Sequence, residues 1–142
     1  KFTIYSLGGY MKYSLGYTLV DICIAVCMIT ILCSIAYPSY INYLLVSRRS
    51  DAHISLAKIA SLQEKHFLYN QEYLSLDQLR KDSGMNLSLS ENGYYQIDVD
   101  LKYKSYLITA KAINVQASDS ECKIITLDNT GQKGGTSGQA CW

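Results

Sequence analysis

The stretch YTLVDICIAVCMITILCSIAYP, Tyr17 to Pro38, decides how the rest of the chain is read. From Ile22 to Ala36 nothing is charged, and only Thr30 and Ser34 carry hydroxyls. As a helix, Tyr17 to Tyr37 spans roughly 31 Å, about one bilayer core. This predicts a membrane-spanning or filament-core helix with a single carboxylate, Asp21, at its head. A carboxylate at the centre of a lipid-facing helix costs roughly 2.5–3.5 kcal/mol, and less near the interface. The charge therefore calls for a partner.

On the N-terminal side, residues 1–16 hold Lys1 and Lys12 and no acid, and a start at Met11 would leave a very short basic leader. A cleaved secretory signal would take Lys12 as its basic end, Ile22–Cys33 as its apolar stretch and Ser34-Ile35-Ala36 as its cleavage site. Asp21 argues against it, because nothing in a removed signal needs a charge there. A lipoprotein signal fits less well, since Cys23, Cys27 and Cys33 follow large residues.

On the other side, Pro38, the only proline, removes the helical bond to the Ser34 carbonyl, which predicts a kink or local melting. Beyond it the period stays helical. Ile41, Leu44, Leu45, Ala52, Leu56, Ile59 and Leu62 fall within about 120° of arc, with Asp51, Lys58 and Lys65 outside it. Asn70 to Gly93 reads as a loop packed by its leucines, with one short turn at Leu74–Leu79. The period then becomes two. Tyr95–Leu101, Tyr106–Ile113 and Lys123–Leu127 predict three antiparallel strands, with turns at Lys102–Ser105 and Asp128–Gly131. The striped helix covers their apolar face. The fold class is therefore α+β: a long N-terminal helix, apolar then amphipathic, packed on a small antiparallel sheet.

The 142 residues suit one domain, and about 105 of them follow the apolar helix, enough for a small core. Thirteen Lys and Arg against twelve Asp and Glu give a net charge of +1 with the signs interspersed, so no partner class is implied by charge. The five cysteines divide by their neighbours. Cys23, Cys27 and Cys33 read as small hydrophobes of the apolar helix. Cys122 and Cys141 read as a disulfide formed in an oxidising compartment, closing a C-terminal loop at about 3 kcal/mol of chain entropy.

Gly16-Tyr17-Thr18-Leu19-Val20-Asp21 stands in the register of the type IV pilin processing signal, and Pro38 falls where these pilins place a helix-kinking proline. Tyr37-Pro38-Ser39-Tyr40, Ser47-Arg48-Arg49, Gln63-Glu64 with Asn70 and Tyr73, Leu127-Asp128-Asn129-Thr130-Gly131 and Cys141-Trp142 extend the likeness over nearly all the chain after residue 16. The sequence resembles a PilE-type minor pilin.

The resemblance implies that a prepilin peptidase cuts after Gly16 and methylates the new amine of Tyr17. It implies a leader at 1–16, a transmembrane and filament-core helix at 17–38 and a periplasmic globular domain at 39–142. Asp21 and Pro38 become assembly residues, Asp21 pairing with the N-terminal amine of a neighbouring subunit. Aspartate stands where the family usually has glutamate, and Tyr17 where it usually has phenylalanine. Both departures suit a minor subunit. The implied partners are the major pilin and other minor pilins, the prepilin peptidase, the inner-membrane assembly platform and, before assembly, membrane lipid. The expected location is the bacterial inner membrane and then the extracellular pilus. The expected role is a structural subunit that primes or joins pilus assembly, supporting twitching, adhesion or DNA uptake, with no enzymatic activity and no cofactor or metal.

Two alternatives stand beside it: a pseudopilin of a type II secretion system, and a pilin acting as a receptor for DNA or a host surface. Nucleic acid ranks low, because Lys102, Lys104, Lys111, Lys123 and Lys133 are matched by Glu91, Asp98, Asp100, Asp119, Glu121 and Asp128. His53 and His66 read as ordinary surface or edge residues. Lys133–Gly138 lacks the residue order of a phosphate loop and reads as a flexible loop. The thirteen tyrosines read mostly as packing between helix and sheet.

Overall fold

A computed structural model describes residues 16–142. The expected leader lies outside the described residues, apart from Gly16. The chain divides into two compact units between Ser39 and Tyr40.

Helix α1 runs Leu19–Asn70 with Pro38 inside it. Helical backbone continues through the proline, so the local melting expected there does not occur. In the first unit every described side chain is exposed, including Cys23, Cys27 and Cys33.

In the second unit α1 buries Leu45, Arg49, Ala52, Leu56, Ile59 and Gln63, a stripe advancing by alternate four and three residues. Asp51, expected to face outward, is also buried: its Oδ1 accepts the Asn92 backbone N–H at 3.2 Å and the side-chain amide at 3.1 Å. The carboxylate thereby ties the turn before the sheet to the helix. Ile41, placed on the stripe by periodicity, is exposed.

The segment expected as a loop contains a second helix, α2, at Leu76–Ser83. Gln78 Oε1 accepts the Ser75 backbone N–H and hydroxyl, each at 2.9 Å, and Gly84 ends the helix at φ 67°. Eight residues carry too few turns for a periodic signal, whereas the Ser-x-x-Gln cap is local and legible. Leu74, Leu79 and Leu87 are buried as expected, whereas Leu76 is half-buried and Leu89 is exposed. Gln63 fixes this segment to α1: its side-chain amide donates to the Leu74 carbonyl at 2.6 Å and accepts the Leu74 N–H at 2.9 Å, as a strand partner would.

Four antiparallel strands follow in the order β1-β2-β3-β4: β1 Tyr95–Lys102, β2 Ser105–Ala112, β3 Ile124–Asp128 and β4 Lys133–Gly135. The first three match the period-two reading. The fourth was expected as loop, because three residues with two glycines carry no alternation. Gly135 is the stricter steric requirement, because it faces backbone whereas Gly134 faces a side-chain hydroxyl. A Cβ at Gly134 would lie 2.7 Å from Thr126 Oγ1, and one at Gly135 2.6 Å from the Ile124 carbonyl oxygen. A single core joins Ala52, Leu56 and Ile59 of α1 to Ile97, Ile108 and Ile125 of the sheet.

Candidate functional site

The head of α1 is built from Thr18 and Asp21. Asp21 Oδ2 accepts the Thr18 backbone N–H at 2.9 Å and the Thr18 hydroxyl at 2.8 Å, while the Asp21 N–H donates to Thr18 Oγ1 at 3.3 Å. This is a reciprocal capping box that satisfies two of the first turn's free donors. All the acceptance falls on Oδ2. Among the described residues, Oδ1 has no partner, and the group is exposed. Tyr17, beside it, is 87% exposed. The chain therefore orients its own carboxylate and leaves one oxygen for a donor from outside.

At the opposite end of the sequence the Cys122–Cys141 disulfide is present, with both residues buried. Trp142 completes the closure. Its ring stacks on His53 with centroids 4.6 Å apart, its indole N–H donates to the Gly134 carbonyl at 3.0 Å, and Lys133 Nζ lies 4.8 Å from the ring centroid. His53 Nε2 lies 2.8 Å from the Cys141 carbonyl oxygen, which requires the proton on that nitrogen. His53 was expected as an ordinary surface or edge residue. Its contacts lie 88 residues away, beyond any local pattern.

A buried polar network lies within the second unit. Arg49 donates from Nε to Asp119 Oδ2 at 2.8 Å and from Nη2 to Asp119 Oδ1 at 2.9 Å, with Glu121 Oε2 at 3.3 Å from Nη2. Gln116 donates to the Leu45 carbonyl and to the Tyr95 hydroxyl, each at 3.0 Å. Burial pushes the Tyr95 hydroxyl above its ordinary pKa. The Ser-Arg-Arg motif thus splits into two jobs: Arg49 joins helix to loop, and Arg48 lies over the Tyr94 ring at 4.8 Å.

The β1–β2 turn presents Lys102, Tyr103 and Lys104 outward, with Tyr103 91% exposed and Lys104 Nζ 5.7 Å from its ring centroid. Among the described residues no cluster of His, Cys, Asp and Glu is arranged to hold a metal.

Residues 38–126 match the family model described as "Type IV minor pilin ComP, DNA uptake sequence receptor". The chain belongs to the ComP family of type IV minor pilins. The fold of this minor pilin is similar to the solved "High-Resolution Structure of a Type IV Pilin from Shewanella oneidensis", at a TM-score of 0.51 and 23% identity over 69% of this chain and 97% of that one. No curated protein matches it. As a minor pilin it belongs to a structural, non-enzymatic family whose members assemble with other pilins, and its apolar N-terminal helix accords with anchoring in a membrane before entry into a pilus.

Proposed function

We propose that this minor pilin primes or joins pilus assembly by transferring its apolar helix from the inner membrane into the fibre. In this reading residues 17–38 form the membrane and filament-core segment, and residues 39–142 the periplasmic domain. The prepilin peptidase cleaves after Gly16 and methylates Tyr17. Asp21 then docks the subunit by accepting the freed amine of a neighbouring pilin, major or minor, on the assembly platform. The observation that carries this is the exposed Asp21 carboxylate at the head of the apolar helix, oriented by Thr18 through one oxygen, with no partner for the other among the described residues. Among packed helices such a pair specifies axial register more than it adds stability. Asp21→Ala is expected to lower the amount of this subunit in sheared pili about tenfold. Mass spectrometry of the same pili is expected to show a methylated Tyr17 as first residue. Equal incorporation of the variant would overturn the docking role, and a first residue at Tyr37 would replace the whole reading with a secretory signal.

A second role, as the DNA receptor named in the family description, is favoured by the Lys102-Tyr103-Lys104 turn. It offers an exposed aromatic face between two cations, the combination that engages bases and phosphates together. This places the emphasis on local arrangement, whereas the balanced overall charge pointed away from nucleic acid. Replacing Lys102 and Lys104 together by alanine is expected to weaken DNA retention. It should also reduce the slope of log affinity against log salt by about 2. Retention that is independent of salt, or unchanged in this variant, would remove the turn as the contact.

A further inference from the structure

Tyrosine and aliphatic residues are segregated along the apolar segment. Tyr17 stands before it and Tyr37 near its end, and between them, from Thr18 to Ala36, there is no aromatic residue of any kind. Both tyrosines are exposed, Tyr17 at 87% and Tyr37 at 69%, and among the described residues neither hydroxyl has a partner, so packing within the described chain does not explain either side chain. Tyr40 and Tyr43, the next two tyrosines of the sequence, are exposed as well. The helical rise from Leu19 to Tyr37 is about 27 Å, close to the roughly 30 Å of a bilayer hydrocarbon core. Tyrosine is the side chain that prefers such a boundary, because its ring is apolar while its hydroxyl reaches water and lipid headgroups.

From this placement we infer that Tyr17 and Tyr37 are interfacial anchors that fix the depth of the helix in the bilayer, each seated at the headgroup and carbonyl layer of one leaflet. The inference rests on the membrane-anchored reading above and adds a register to it. It sets Asp21, four residues from Tyr17, within about one helical turn of the boundary, where a carboxylate costs least. The capping box then keeps that carboxylate oriented while the subunit waits in the membrane. The anchor also gives the lipid state a definite position from which the helix must move when it enters a fibre.

The test uses the full chain in phosphatidylcholine–phosphatidylglycerol vesicles containing lipids brominated either near the carbonyls or near the chain ends. Tyr37→Trp and Ile29→Trp are compared after subtracting the emission of the unsubstituted chain, whose single tryptophan is Trp142. The expected result is that shallow bromines quench the Tyr37→Trp variant at least about twofold more than deep ones, and that the order reverses for Ile29→Trp. Deep quenching of Ile29→Trp together with deep or absent quenching of Tyr37→Trp would overturn the anchor and leave the membrane reading intact. If Ile29→Trp escaped both lipids, the membrane reading would fall and the anchor with it. Adding Tyr37→Leu to the Ile29→Trp chain is expected to shift its shallow-to-deep quenching ratio, because the apolar run then has no aromatic stop. An unchanged ratio would show that Tyr37 sets no depth.

Discussion

Arg49→Ala is expected to lower the stability of the globular unit by about 3–5 kcal/mol, the effect of stranding one member of a buried ion pair. Asp119 is 3% exposed, and its two oxygens take the two-pronged guanidinium contact. Without Arg49 the carboxylate keeps neutral donors, among them the Cys122 N–H at 3.2 Å and the Gln116 amide at 3.3 Å, and loses its counter-charge. Arg49→Lys is expected to recover part of the loss, because an ammonium restores the charge but not the planar fork. Removing both charges should not reproduce the near-neutral outcome seen when isolated buried pairs are replaced by apolar residues. Here Asp119 also satisfies the Cys122 N–H, and that donor would be left unpaired.

Acid probes the same pair from the other side. Burial pushes the Asp119 carboxyl up, but the Arg49 guanidinium and the Cys122 N–H outweigh it and hold the group below the ordinary carboxylate range. A group depressed in the folded state binds its proton more readily when unfolded. Its stabilising contribution is therefore complete above the ordinary carboxylate pKa of about 4 and is lost as the pH falls through the depressed value. Thermal melts between neutral and acid pH should show this limb in the wild-type chain and a flatter one in Asp119→Asn. Equal stability of Arg49→Ala and wild type at neutral pH would mean that solvent already screens the pair.

These residues also show what the sequence discloses and what it hides. The apolar helix, the amphipathic half of α1 and three of the strands follow from local repetition, because burial against one surface imprints a period on the side chains. Arg49 and Gln63 break that imprint. Each occupies a stripe position, four residues after Leu45 and Ile59 respectively, so a polar residue on the core face was the available signal for a buried network. Their partners, Asp119 and the Leu74 backbone, come from distant or irregular segments that no period marks. Asp51 misled for the converse reason. Its angle on the helical wheel points off the stripe, but the turn at Asn92 covers that side and supplies two donors. At the candidate sites, the Thr18–Asp21 box is a four-residue motif and legible, whereas the His53–Trp142 stack needs the folded chain.

Replacing Cys122 and Cys141 together by alanine is expected to cost about 3 kcal/mol, the loop-closure entropy restored to the unfolded chain. The two cysteines are 19 residues apart. The intervening chain contributes β4 at the sheet edge, and its one turn of 3-10 helix, Gly138–Cys141, leads directly into Trp142. The native side of the balance is also affected, because Gly135 lies so close to the bridge that its missing Cβ would sit 3.4 Å from Cys141 Sγ. Removing both sulfurs opens a space in a position already tailored to them, which adds a packing loss to the entropy. The single tryptophan makes the consequence visible. Trp142 is held by His53, Lys133 and the Gly134 carbonyl, and these contacts, with the His53–Cys141 carbonyl bond, must then keep the C-terminal segment in place. A lower unfolding midpoint, with Trp142 emission shifted to the red before the global transition, would show that the bridge supports β4 and the stacked indole as a unit. A lower midpoint with unchanged native emission would instead assign the bridge to the unfolded chain alone and leave the His53 stack as a self-sufficient clasp.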